Sequence, residues 1–259
     1  MRKGSQRKRI VLGILIPVIV LAVLFIVCAI YLESYYHADT ESIEALFPAA
    51  RGVSEQTLEN GDMIFSTMHA KVGLVFYPGG KVEQTAYIPL MRELASHGIL
   101  CVLCKMPFRL AVLDVHAADE ARKECPEIEH WYIGGHSLGG TIAASELASH
   151  GGTYEGLILL ASYANGDLSK EPVRVLSVYG SEDRVLNRRE YERHCGNLPQ
   201  DLSEIEIGGG CHAYFGMYGA QDGDGTPTIT NEEQIRITAE EIINWLNGGA
   251  YAENPGKHS

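Results

Sequence analysis

Positive charge is scarce beyond the first nine residues. Five of the 21 lysines and arginines fall there, and the remaining 16 face 33 acidic residues, a net of about −17. So acidic a body argues against nucleic acid as a partner, because phosphate backbones are bound by basic surfaces. Charge of either sign is missing altogether from residues 10–32. There is no internal repeat and no low-complexity segment, which excludes a solenoid. With 259 residues, what remains after the uncharged stretch suits one domain of roughly 200 residues.

The uncharged run of residues 10–32 is long enough to cross a bilayer as a helix, and Pro17 is tolerable within it. Arg2, Lys3, Arg7, Lys8 and Arg9 precede it; Glu33, Asp39, Glu41 and Glu44 follow. That asymmetry puts the amino terminus in the cytoplasm, and Tyr31, Tyr35 and Tyr36 suit the far interface. A cleaved signal peptide has a shorter apolar core and small residues at its cleavage site; the anchor is the favoured reading. The expected layout is a basic tail over 1–9, a single-pass anchor over 10–32 and a linker over 33–50. A folded domain over 51–248 then lies outside the cytoplasm, with a flexible tail over 249–259. The lipid bilayer is thus one expected partner, and nothing in the sequence speaks to oligomeric state.

Six cysteines are present. Cys101 and Cys104 have the C-x-x-C spacing, but residues 99–104 form an apolar strand pattern that points the two side chains to opposite faces, so packing is expected rather than metal or redox chemistry. Cys195 and Cys211 are the pair that an oxidising compartment would allow to join.

Apolar runs at 72–77, 99–104, 130–133, 156–163, 173–180 and 202–207 read as strands. Helical patterns fall between or after them at 86–95, 110–123, 141–150, 188–195 and 232–246. Asn60-Gly61 between alternating runs at 53–59 and 63–67 signals a hairpin at a sheet edge. The strand–helix alternation predicts an α/β domain with a mostly parallel sheet and helices on both faces. In such sheets ligands bind beyond the carboxyl ends of the strands.

Several residues able to do chemistry fall at those ends. Gly135-His136-Ser137-Leu138-Gly139 lies between a strand and a helix. A serine on so tight a turn is held out as a nucleophile, with glycines where side chains would collide. The helix amino end then faces the place where an oxyanion would form. Downstream, Asp183 follows one strand and His212 another, in the order nucleophile, acid, histidine. His212 is expected to take the Ser137 proton and Asp183 to hold the imidazole; Glu182 is the rival acid. The oxyanion donors expected are the N–H of Leu138 and one from the loop after residue 77, Gly80 first and Lys81 as the alternative.

Tyr-Pro-Gly-Gly-Lys-Val at 77–82, Lys-Met-Pro at 105–107, Leu-Ala-Val-Leu-Asp at 110–114, Gly-Gly-His-Ser-Leu-Gly-Gly at 134–140 and Gln-Asp-Gly-Asp-Gly-Thr-Pro at 221–227 together resemble the bacterial alpha/beta hydrolase fold-5 family, which is loosely tied to the dienelactone hydrolases. The resemblance covers roughly residues 50–247 and implies a serine hydrolase using Ser137, Asp183 and His212. Cys211 departs from the asparagine that the family pattern places before the histidine. Dienelactone hydrolases carry a cysteine nucleophile, so their substrate does not transfer.

Only residues 164–172 separate the strands ending at Tyr163 and starting at Val173, too few for a lid domain. An open site is therefore expected, walled by Met106, Phe108, Tyr214 and Phe215. Asp222-Gly223-Asp224-Gly225 lacks the further ligands of a calcium loop and reads as a turn. No cofactor and no metal is expected. The leading expectation is a membrane-anchored serine hydrolase of a small carboxylic ester or thioester. The alternatives are an acyltransferase with the same residues, or an inactive binding module of this fold.

Overall fold

Strand β3 (Val72–Tyr77) shows how the sheet acquires two covered faces. Leu74 and Phe76 pack into one apolar layer, Val75 and Tyr77 into the other, and all four are buried. Successive side chains on a strand point to opposite faces, so a continuous apolar run needs cover on both. The computed structural model describes residues 2–248; the tail expected over 249–259 lies outside the described residues. Contacts divide the chain into two units, one up to Tyr35 and one from Tyr36 onward.

The first unit is helix α1 (Arg2–Glu33). It extends the expected span at its amino end through the basic residues. Its segment Leu15–Glu33 is long and apolar enough to cross a membrane. An apolar helix of this kind fits either a membrane anchor or a signal sequence.

The second unit holds helix α2 (Thr40–Leu46), strands β1 (Ser54–Thr57) and β2 (Met63–Ser66), β3, helix α3 (Ile88–Ser96), strand β4 (Ile99–Leu103), helix α4 (Ala117–Lys123) and strand β5 (His130–His136). Helix α5 (Leu138–Ser149), strands β6 (Gly156–Leu160) and β7 (Arg174–Gly180), helix α6 (Arg188–His194), strand β8 (Leu202–Ile207) and helix α7 (Asn231–Leu246) complete it. The sheet order is β1-β2-β4-β3-β5-β6-β7-β8. The strands β4-β3-β5-β6-β7-β8 pair in parallel; β1 and β2 add an antiparallel edge. One apolar layer joins α3 and α7 to the sheet through Leu90, Leu94, Ile235 and Trp245. The other joins α4 and α5 through Ala118, Ala121, Ala144 and Leu147. This is the expected α/β architecture, and no lid stands between β6 and β7.

Within the stretch 33–50, Ile43 on α2 and Phe47 just after it are buried in the domain core, and Tyr36 bridges to Val82. Two local expectations change. The hairpin closes through a longer loop over 58–62, because Leu58 and Asp62 pair their backbones and the Asp62 side chain turns away to accept from Lys105 N–H. The helix expected over 110–123 breaks into short turns at Pro107–Arg109 and Ala111–Leu113 before α4 begins. Only Ala111 of that apolar run is buried there, while Val112 and Leu113 face solvent, so no packed face sustains a helix. All six cysteines are free thiols, Cys195 and Cys211 included.

Candidate active site

Ser137 follows β5 directly and caps α5 with φ 52° and ψ −123°. A left-handed backbone at a non-glycine residue costs on the order of 1–3 kcal/mol and persists only when its surroundings enforce it. Here they do. A Cβ on Gly139 would lie 2.2 Å from the Tyr77 carbonyl oxygen and 2.3 Å from that of Pro78. A Cβ on Gly135 would lie 2.6 Å from both the Tyr77 oxygen and the Gly139 carbonyl carbon. The glycines flanking the serine are therefore a packing requirement. Ser137 N–H donates to the Leu160 carbonyl at 2.9 Å, and the buried Ser162 hydroxyl donates to the Ser137 carbonyl at 2.7 Å. The Ser137 side chain makes no capping bond to the first turn of α5.

Asp183 and His212 meet across the ends of β7 and β8. His212 Nδ1 is 2.9 Å from Asp183 Oδ2, both side chains buried. Asp183 Oδ1 accepts from the N–H groups of Val185 and Leu186 at 2.9 and 2.8 Å. A carboxylate only accepts, so His212 Nδ1 carries the hydrogen and Nε2 presents its lone pair. Glu182 turns elsewhere, toward Ser181 and Arg184. His212 Nε2 is buried and has no hydrogen-bond partner among the described residues. Ser137 and His212 line one cleft of about 280 Å³, though no hydrogen bond joins them. Such bonds are often long in ligand-free sites and tighten around substrate.

The histidine loop is braced by residues that the sequence pattern did not single out. Buried Gln234 on α7 accepts from Cys211 N–H at 2.9 Å and donates to the Cys211 carbonyl at 2.8 Å. Asp224 accepts from Ala213 N–H at 2.9 Å and Arg184 N–H at 3.3 Å, which ties the Asp183 loop to the His212 loop. Burial raises the Asp224 carboxyl pKa, but these backbone N–H donors outweigh it and hold the group below its ordinary value. The Asp-Gly turn read at 222–225 is thus a clamp. Gly180 makes room for the loop before His212: a Cβ there would lie 2.3 Å from the Gly210 carbonyl.

His136 is buried directly beneath His212, ring centroids 4.6 Å apart. Its Nδ1 is 2.8 Å from the Tyr87 hydroxyl, which accepts from Gly79 N–H at 3.0 Å. Burial, and secondarily the neighbouring His212, hold the His136 pKa well below the usual histidine value. The loop after β3 is thereby tied to the floor of the site. In that loop Lys81 N–H donates to the Arg109 carbonyl at 2.8 Å, which removes it as a backbone donor. The N–H groups of Gly80 and Leu138 donate to no acceptor among the described residues, and a Cβ on Gly80 would lie 2.9 Å from the Leu138 side chain.

The expected walls are not those of the serine cleft. That cleft is lined by Thr141, Ser162, Tyr163, Asn165, Val185, Leu186 and Asn187. Met106 and Phe108 line a separate groove of about 470 Å³ with Pro78, Val82 and Gln84. Phe108, at φ 50°, is turned out to solvent by the break at 107–109. Phe215 is buried against His136, with centroids 5.6 Å apart, and serves the core. Tyr214 is half-buried, and its carbonyl accepts from Asn231.

Residues 73–236 match the family model described as the alpha/beta hydrolase family. Among solved structures, Est1E from Butyrivibrio proteoclasticus is similar at TM-score 0.54 and 12% identity, covering 76% of this chain and 98% of its own. A predicted CIB-like hydrolase from Thermoplasma acidophilum is similar at TM-score 0.52 and 17% identity, covering 74% and 98%. At those identities the likeness is one of fold. No curated protein matches the sequence.

Proposed function

The chain belongs to the alpha/beta hydrolase family, and on that premise we propose that it cleaves a carboxylic ester or thioester through an acyl-enzyme on Ser137. The observation that carries this reading is the Asp183–His212 pair at 2.9 Å, sharing a cleft with a serine held at a left-handed turn. In the proposed reaction Ser137 Oγ attacks the acyl carbon as its proton passes to His212 Nε2. The oxyanion accepts from the N–H groups of Leu138 and Gly80, at the positive end of α5. The intermediate collapses, and the alcohol or thiol leaves with the proton from His212. Water, deprotonated by His212, then attacks the acyl-enzyme and frees Ser137. Asp183 keeps the imidazole oriented and stabilises its cation. The cleft volume favours a small acyl group.

The same reading takes α1 as an uncleaved anchor, with the amino terminus cytoplasmic and the hydrolase domain beyond the membrane. The basic residues before the span and the acidic residues after it support that orientation. Protease digestion of intact cells is expected to remove the domain; its protection would reverse the orientation.

A fluorophosphonate probe is expected to label the purified full-length chain at Ser137. Ser137→Ala is expected to abolish labelling and lower turnover of short-chain p-nitrophenyl esters by roughly 10⁴–10⁶, with an unchanged circular dichroism spectrum. Equal slow hydrolysis by both proteins, with no labelling, would sink the proposal. Product analysis with an added alcohol acceptor separates hydrolysis from acyl transfer.

A further inference from the structure

A second group of titratable side chains lies at the carboxyl end of α5, outside the serine cleft. His116 precedes α4, Asp119 lies in its first turn, Glu146 is in the last turn of α5 and His150 caps that helix. One donor atom from each lies within 4.8 Å of every other. His116 Nδ1 is 2.7 Å from Glu146 Oε2, and His150 Nε2 is 3.7 Å from Asp119 Oδ2.

The Glu146 side chain is wholly buried. Tyr154 donates its hydroxyl to Oε1 at 3.2 Å and fixes the carboxylate. Arg122 holds Asp119 Oδ1 at 2.7 Å, which leaves Oδ2 toward His150. His150 Nδ1 is buried and makes no hydrogen bond, although it lies 3.1 Å from Glu146 Oε1. A buried carboxylate needs a counter-charge. A protonated His116, 2.7 Å away, supplies one; a dication supplies it in its place and uses the imidazole lone pairs as well. The donor set is two nitrogens and two oxygens, which suits tetrahedral zinc and not calcium or magnesium, whose sites are built from oxygen. Tetrahedral bonds of about 2.0–2.1 Å place donors roughly 3.4 Å apart; two of the pairs here stand at 2.7 and 3.7 Å, and all lie within 4.8 Å.

We propose that His116, Asp119, Glu146 and His150 bind one divalent transition-metal ion of zinc's kind, which fastens α4 to the end of α5. The site is independent of the hydrolase reading.

The test uses untagged full-length chain in detergent, stripped by a chelator and titrated with Zn²⁺. Calorimetry and elemental analysis are expected to give one equivalent per chain, with the unfolding temperature raised by bound zinc. His116→Ala, at a largely exposed side chain, and His150→Ala are each expected to weaken zinc binding by at least the tenfold or so lost with outer-shell partners. Asp119→Asn gives a third readout if either histidine variant misfolds. Ca²⁺ and Mg²⁺ are expected to give no saturable binding. Absence of saturable zinc binding overturns the proposal, as does unchanged affinity in the folded variants.

Discussion

At its amino end, α5 sets Ser137, Gly139 and Gly140 against backbone carbonyls and the Ser162 hydroxyl. At its carboxyl end, the same helix sets Glu146 and His150 against His116 and Asp119. The first end is uncharged, crowded and strained; the second collects ionisable groups around one buried carboxylate. The helix dipole explains why the two chemistries are not interchangeable. Its positive end favours an anion that forms only during reaction, and a permanent carboxylate there would compete with it. Its negative end favours cations, so imidazoles or a metal belong there.

Each end can be broken separately. The largest effect is expected from the partner of the amino end. Asp183→Asn leaves the shape but not the tautomer of His212, and turnover is expected to fall by about 10⁴ with stability nearly unchanged, read by steady-state kinetics and chemical denaturation. Gly139→Ala forces a Cβ into two carbonyl oxygens and is expected to lower stability by about 3 kcal/mol or more, seen in the urea midpoint. The corresponding insult at the other end is smaller. His116→Ala takes away the 2.7 Å partner of the wholly buried Glu146 carboxylate and is expected to cost about 1–3 kcal/mol in metal-free protein.

A pH titration sharpens the contrast from the amino side. The folded pKa of His136 lies below its unfolded value of about 6.5. Its contribution is therefore fully present above pH 6.5 and is lost as pH falls toward the folded value. Stability is expected to decline in that window, and His136→Gln is expected to flatten the decline. An unchanged slope in the variant would show that another group governs it.

What the sequence made legible was local or ordered along the chain. The Gly-x-Ser-x-Gly turn is read from five neighbours, and Asp183 and His212 follow from strand ends in series. The strands at 72–77 and 99–104 announced burial on both faces through their composition. The braces were hidden because their partners are remote: Gln234 grips Cys211 from another element, and Asp224 joins two loops. His116 and Glu146 meet only because α4 and α5 lie on one face of the sheet. Which side chains wall the cleft was not legible, because nearness in sequence to the site loops does not give direction. Phe108 turns out at a left-handed residue and Phe215 turns in. The helix expected over 110–123 was a periodicity without a surface to pack on.

The clasp of Gln234 on Cys211 also bears on the time at which this protein becomes competent. A chain growing from the ribosome has made Ser137, Asp183 and His212 before residue 234 exists. Until α7 emerges and docks, the backbone before His212 lacks the side-chain amide that holds it. On the proposed mechanism, a nascent or carboxyl-truncated chain would therefore possess every reacting group while its proton carrier is still unplaced. Synthesis order would then delay the chemistry until the domain has closed.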